Sequence, residues 1–180
     1  MKFQPIPIDG PLIIQPKVFT DSRGYFFESY SESLFADQGI QVKFVQDNQS
    51  LSGKGTVRGL HFQSPPHAQG KLVRVVSGSV LDVIVDIRKT SATYGKIFTI
   101  MLSGENKTML WIPEGFAHGF STLEDGTIFQ YKCTGYYHKE SEGGIRWNDP
   151  TLAIHWGVEK PIVSEKDSSL PLFTDFVSPF

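Results

Sequence analysis

The chain has 180 residues, 39% apolar and 20% charged, with 17 Lys and Arg against 19 Asp and Glu for a formal charge of -2. These values describe a folded globular chain rather than a disordered one, and they lack the basic footprint of a general nucleic-acid binder. Cys133 is the only cysteine, which excludes an internal disulfide and a multi-cysteine metal cluster and fits a reducing, cytoplasmic compartment.

The N-terminal apolar runs are cut by Pro5, Pro7, Pro11 and Pro16, so neither a signal peptide nor a membrane span is expected there. Short β-rich runs separated by turn residues then dominate. They predict strands at Leu12–Phe19, Tyr25–Tyr30, Val42–Asn48, Thr56–Gln63, Lys71–Ser77, Val80–Ile87, Lys96–Leu102, Thr108–Ile112, Gly119–Leu123 and Thr127–Thr134. Ser31–Gln38 reads as a helix capped by Ser31 or Ser33 and ended by Gly39. Gly78-Ser79 suggests a tight hairpin, and the tail after Trp147 has room for one or two short helices. No repeat or linker divides the chain, so a single domain is expected. Many short strands with few helices point to an all-β sandwich or jelly-roll barrel, whose interior can hold a small ligand.

In Val80–Ile87 the residues Leu81, Val83, Val85 and Ile87 share one face, while Val80, Asp82, Ile84 and Asp86 share the other. Parity slightly favours a surface role for the two acids, the other reading being carboxylates in a barrel lumen that hold nearby histidines.

Two clusters carry the residue types of proton chemistry. The first is Arg58-Gly59-Leu60-His61-Phe62-Gln63 followed by Lys71. Imidazole is the side chain most readily used as a base near neutral pH, and cations beside it suit a reaction in which negative charge builds on oxygen. Set against this, a lone histidine is more often structural, and strand Arg and Lys are usually solvated. The second is Trp111–Phe120, in which Phe116, His118 and Phe120 alternate, so His118 reads either as a satisfied core residue or as a donor to a ligand oxygen. Tyr131 and Asp167 are of the types that serve as general acid and as the carboxylate behind a histidine, though a buried tyrosine commonly just satisfies its hydroxyl. Five histidines occur without a His-x-His pair, so a mononuclear metal site is not expected. Neither a dinucleotide fingerprint nor a Walker loop is present.

In order and spacing these segments resemble the dTDP-4-dehydrorhamnose 3,5-epimerases, enzymes of cupin-like jelly-roll fold. The resemblance is carried by Phe19–Glu28 (FTDSRGYFFE), Gln46–Ser50 (QDNQS), Arg58–Gln63 (RGLHFQ), Gln69–Val75 (QGKLVRV), Val83–Arg88 (VIVDIR), Ser91–Gly95, Trp111–Phe120 (WIPEGFAHGF), Tyr131-Lys132, Trp147–Pro150 and Ser164–Asp167. It implies His61 as general base, Asp167 as its carboxylate, Tyr131 as general acid, and Lys71 and Arg58 as cations around the sugar carbonyl and phosphates. It implies a sugar-binding role for His118, nucleotide-diphosphate contacts from Arg23, Glu28, Gln46 and Asn48, thymine contacts from Phe19 and Phe26, and further ligand contacts from Glu142 and Lys166. It also implies a dTDP-4-keto-6-deoxy sugar as substrate, no cofactor, and a homodimer whose N-terminal segments cross to the partner's site.

The same base and acid would serve an epimerase acting at one carbon only, and a non-catalytic sugar-binding barrel needs the pocket without the proton-transfer pair. One feature resists the simple reading. In a regular strand Arg58 and His61 have opposite parity and face opposite sides. Both reach one pocket only if a bulge or a strand end intervenes, and Gly59 is a residue that permits a bulge.

Overall fold

The structure, a computed structural model covering residues 1–180, is built almost wholly of strands. In chain order these are β1 (Lys2–Pro5), β2 (Leu12–Gln15), β3 (Phe19–Asp21), β4 (Gly24–Phe26), β5 (Gln46–Ser52), β6 (Val57–Gln63), β7 (Lys71–Ser77), β8 (Ser79–Asp86), β9 (Ile97–Ser103), β10 (Met109–Ile112), β11 (Phe116–Thr122), β12 (Thr127–Cys133) and β13 (Glu142–Gly144). Two short helices, α1 (Glu32–Ala36) and α2 (Glu165–Ser168), and a turn of 3-10 helix at Lys139–Ser141 complete it. No helix is long and apolar enough to cross a membrane.

The strands form two sheets and a ribbon. The first sheet has the order β1-β2-β10-β7-β12-β5, the second β13-β6-β11-β8-β9, and β3 pairs with β4 alone. All the strand pairings are antiparallel. This is the all-β, cupin-like jelly roll expected from the run of short strands, with helix confined to the periphery.

Apolar residues alternate on the strands so that both faces of each sheet are used. Between the sheets Val73, Val75, Ile84, Leu110, Phe120 and Phe129 pack with their neighbours. Full burial of such side chains contributes roughly 1.5–3 kcal/mol each. The outer face of the second sheet (Val57, Leu60, Val83, Val85, Ala117) is covered by the C-terminal tail through Ile145, Leu152 and Trp156. The outer face of the first sheet is covered near β2 and β10 by the N-terminus and α1, with Phe35 inserted among Ile14, Leu72, Met109 and Trp111. Asp149 fastens the tail: Oδ1 accepts from the Thr151 and Leu152 amides at 2.9 and 2.8 Å, and Oδ2 from the Phe173 amide at 2.7 Å.

Several elements depart from the sequence reading. The run Leu12–Phe19 is two strands, because Pro16 interrupts the ladder; the second half turns back as the β3–β4 ribbon. β5 starts at Gln46 rather than Val42 and runs on to Ser52, where Asn48, Ser50 and Ser52 point inward and Asp47, Gln49 and Leu51 outward. β1 was not expected, its proline-flanked residues being secured by pairing with β2. The helix is shorter than Ser31–Gln38, and its N-cap Ser31 makes no side-chain capping bond; Gly39, at φ +80°, does mark its end.

Gly78 does not make a hairpin. β7 and β8 belong to different sheets, and Gly78 (φ +77°) is the corner by which the chain passes between them. A Cβ there would lie 2.4 Å from Thr127 Oγ1. The surface reading of Asp82 and Asp86 is likewise overturned, since both are fully buried. Asp86 accepts from Arg88 Nε and Nη2 at 2.8 and 2.7 Å and from the Ser91 and Thr93 hydroxyls at 2.6 Å each. Burial raises its pKa, but these donors outweigh it and bring it down to about 2. A mean hydrophobic period cannot tell such a satisfied interior acid from an exposed one.

Candidate active site

The jelly roll leaves a cavity of about 530 Å³ toward one end of the space between the sheets. Side chains enter it from facing walls. Lys71 on β7, Tyr131 on β12 and Asn48 on β5 come from the first sheet; Arg58 and His61 on β6 and His118 on β11 come from the second. Lys166 and Asp167 on α2 close one side. An adjoining opening of about 360 Å³ shares Asn48, His61, Lys71 and Tyr131 and adds Gln46, Tyr137 and Glu142.

Of the two ways to bring Arg58 and His61 to one pocket, the structure uses the bulge. On β11, His118 pairs with His61 and Phe120 with Arg58, so Gly119 alone faces both Gly59 and Leu60. Gly59 has φ +126°, and a Cβ on it would meet Gly119 Cα at 2.5 Å and the His118 carbonyl oxygen at 2.8 Å. Only glycine fits there. The extra residue restores a common facing for Arg58 and His61, while Leu60 turns into the apolar layer beneath the tail.

His61 Nε2 lies 2.7 Å from Asp167 Oδ1, and Asp167 Oδ2 accepts the Gly59 amide at 3.1 Å. The Ser164 hydroxyl accepts the Asp167 amide at 3.0 Å and so sets the turn that aims the carboxylate. Burial raises the Asp167 pKa, but hydrogen bonding and charge from His61, with the Gly59 and Ser164 bonds, win and lower it. Asp167 is therefore an anion at neutral pH. With Nε2–H donated to it, the Nδ1 lone pair of a neutral His61 is left as the basic nitrogen.

Burial raises the Tyr131 pKa, reinforced by Cys133 and Glu142 and opposed by Arg58 and Asn48; the phenol keeps its proton at neutral pH. Lys71 sits 5.9 Å from the centre of the Tyr131 ring. Burial lowers its pKa, against the pull of Cys133, Asp82 and Glu142. Arg58 Nε and Nη2 each donate to Ser52 Oγ at 3.2 Å, bridging the two sheets at the cavity's end. Asn48 accepts from Gln46 Nε2 at 3.0 Å and donates to Cys133 Sγ at 3.6 Å. Glu142 Oε1 pairs with Lys166 Nζ at 2.5 Å, and Oε2 accepts the Tyr137 hydroxyl at 2.9 Å.

Four residues singled out from sequence do not reach this cavity. Phe19, Arg23 and Phe26 line a separate exposed groove on the β3–β4 ribbon, where Arg23 is held by Asp21 and the two Phe rings are 52% and 66% exposed. Glu28 is exposed just beyond it. One residue of the site carries no signal in the sequence: Tyr137 sits in a loop with no periodicity to flag it. Asp82 holds His118, with Nε2 2.9 Å from Oδ2, which is the lumen alternative of its parity rather than the surface one. No three His, Cys, Asp or Glu side chains converge as a cation's donors would.

An imidazole backed by a carboxylate, a protonated phenol on the facing wall and an amine beside that phenol make an arrangement suited to moving protons at carbon beside a carbonyl. Known proteins share this framework. The family description dTDP-4-dehydrorhamnose 3,5-epimerase matches residues 5–175. The chain is 55% identical to the enzyme of that name from Salmonella typhimurium over 92% of its own length and 91% of the relative's. It is 51% identical to that of Methanothermobacter thermautotrophicus, again over 92% and 91%. A crystal structure of dTDP-6-deoxy-D-glucose-3,5-epimerase from Legionella pneumophila, in complex with dTDP-4-keto-L-rhamnose, superposes with a TM-score of 0.93 at 48% identity, covering 96% of this chain and 93% of that one. Pocket, fold and relatives thus converge, and this chain belongs to the dTDP-4-dehydrorhamnose 3,5-epimerase family.

Proposed function

We propose that this protein converts dTDP-4-keto-6-deoxy-D-glucose to dTDP-4-keto-L-rhamnose, inverting carbons 3 and 5 of the sugar, as a step in dTDP-rhamnose supply. The observation that carries this reading is that His61 and Tyr131 enter one cavity from opposite sheets. Inversion needs proton removal on one face of the ring and proton return on the other, and a cavity between two sheets supplies both.

A hydrogen beside a ketone is acidic because the charge left behind moves onto oxygen as an enolate. His61 Nδ1 takes that proton. Asp167 stabilises the imidazolium formed and keeps the ring in the tautomer that frees Nδ1. Lys71 faces the enolate oxygen; one such preorganised donor is typically worth about 3–4 kcal/mol of transition-state stabilisation. Tyr131 delivers its proton to the opposite face, and both side chains reset by exchange with water, so no net oxidation occurs. The ketone at carbon 4 acidifies carbons 3 and 5 alike, and one base and one acid serve both.

Arg58, Gln46, Asn48, His118, Glu142 and Lys166 bind the sugar and diphosphate. Phe19, Arg23, Phe26 and Glu28 act in the partner's site of a homodimer. Their exposure on a ribbon away from their own cavity supports this. The enzyme works in the cytoplasm on a diffusing nucleotide sugar, as one catalytic domain, without a cofactor.

NMR of the protein with dTDP-4-keto-6-deoxy-D-glucose in deuterated water tests the reading. Deuterium at carbons 3 and 5 is expected, and its loss in His61→Asn with dTDP binding retained. Exchange at one carbon alone makes the protein a single-centre epimerase. No exchange at all, with binding intact, makes it a sugar-binding barrel.

A further inference from the structure

Asp82 stands at the middle of β8 with no exposed surface. It lies opposite Phe120 on β11, and from that register its carboxylate reaches the diagonal neighbour His118, accepting from Nε2 at 2.9 Å through Oδ2. Its other oxygen, Oδ1, is the single buried side-chain oxygen or nitrogen in the chain without a hydrogen-bond partner. Leaving a buried acceptor unsatisfied costs about 1–3 kcal/mol, more for a charged one. Folds avoid that cost almost everywhere, so each instance calls for a use.

The surroundings suggest one. His118 and His61 are directly opposite on adjacent strands. Each imidazole is engaged at Nε2 by a carboxylate, Asp82 behind one and Asp167 behind the other. The same construction therefore occurs twice in one cavity, once at the proposed base and once beside it. Across the lumen stands Lys71, which shares the space with Tyr131 and Cys133 of β12, Arg58 and His61 of β6, His118 of β11 and, at the rim, Glu142 of β13. Burial drives its amine toward neutrality, and Asp82 is among the charges that hold the proton on.

We propose that Asp82 is a positioning residue for the reaction described above: it fixes His118 with Nδ1 toward the sugar and sets its unpartnered carboxylate oxygen as a buried negative charge in the wall across from Lys71. The inference rests on the epimerase reading for the part played by Lys71. A neutral amine can still donate a hydrogen bond, but it lacks the charge that makes the donor effective in a dry site. The arrangement gives His118 a defined polarity: with Nε2–H donated to Asp82, Nδ1 is the nitrogen turned to the sugar hydroxyls.

Two measurements test this. In the unsubstituted protein labelled with 15N-histidine, two-dimensional NMR reports the neutral tautomer of His118. Nε2–H is expected, and Nδ1–H would overturn the proposal without bearing on the epimerase reading. In Asp82→Asn, which keeps the shape and removes the charge, the alkaline limb of the kcat profile for solvent exchange should move down by about one pH unit or more, as for loss of a neighbouring opposite charge. Above the displaced limb, kcat falls about tenfold per pH unit. A folded Asp82→Asn variant with an unmoved alkaline limb refutes the link to Lys71, since a purely structural role lowers melting temperature and leaves the limb in place. Should that variant not fold, the tautomer in the unsubstituted protein still decides. Absence of exchange in the unsubstituted protein would instead refute the epimerase reading.

Discussion

Replacing Asp167 by Asn should be more damaging than its small chemical change suggests. Asp167 accepts twice, from His61 Nε2–H at 2.7 Å and from the Gly59 amide at 3.1 Å. An asparagine has one acceptor and one donor to offer these two partners. The Gly59 amide is a fixed donor in the bulge, so the amide oxygen must turn to it and the NH2 group then faces His61. Nε2 becomes the acceptor, the proton moves to Nδ1, and the nitrogen pointing at the sugar is no longer basic. Wrong-tautomer substitutions of this kind in His–Asp pairs cost on the order of 10⁴ in kcat, which is about 5.4 kcal/mol at 1.36 kcal/mol per factor of ten. Asp167→Ala, which leaves His61 free to choose its tautomer, should lose less than Asp167→Asn. The assay is the rate of deuterium incorporation followed by NMR near pH 7.5, with dTDP binding as the control for an intact site. An Asn variant within tenfold of the unsubstituted enzyme, or one more active than the Ala variant, refutes the tautomer argument.

Tyr131→Phe should slow turnover by about 10²-fold or more with little change in apparent affinity; a change in affinity alone moves the acid elsewhere. Gly59→Ala forces a side chain into contact with Gly119 and the His118 carbonyl at a positive φ, so a loss of about 2–4 kcal/mol in urea unfolding is expected together with loss of exchange activity. Arg23→Ala should raise KM with kcat nearly unchanged, and mixing it with His61→Asn should restore part of the activity in mixed dimers; no restoration refutes the crossing of the ribbon. Asp86 has a folded pKa lowered to about 2 against an ordinary 3.8. Its contribution to stability is therefore complete above about pH 4 and lost as pH falls toward 2. Asp86→Asn should flatten acid unfolding across that window and lower the melting temperature at neutral pH by leaving Arg88 without its partner.

The barrel was legible because its strands are short, alternate, and mostly end beside Gly or Pro. The bulge was half legible: two residues of opposite parity serving one pocket need a bulge or a strand end, and the glycine between them permits the former. Gly78 shows where local reading stops. A two-residue break between apolar runs looks the same whether the chain turns back on itself or rounds the corner of a sandwich, and only the partner strands distinguish the cases. Asp82 and Asp86 failed for a related reason. Alternation places a residue on a face, but whether that face meets water depends on another sheet many residues away. Asp167 on its own was a loop acid, and it became a partner of His61 through a contact spanning 106 residues. The assignments on Phe19, Arg23 and Phe26 rest on resemblance, since nothing within one chain brings them to the cavity.

The carboxylate behind His61 does not belong to the barrel at all. It rides on α2, in a tail pinned down by Asp149 and packed by Leu152 and Trp156 over the outer sheet. During synthesis the strands that carry the imidazole, the phenol and the amine all leave the ribosome before this segment does. The same segment closes one side of the cavity, so a nascent chain lacks a wall of the pocket as well as the carboxylate until the tail is in place. Docking of the tail thus completes the pocket and supplies the partner of His61 together.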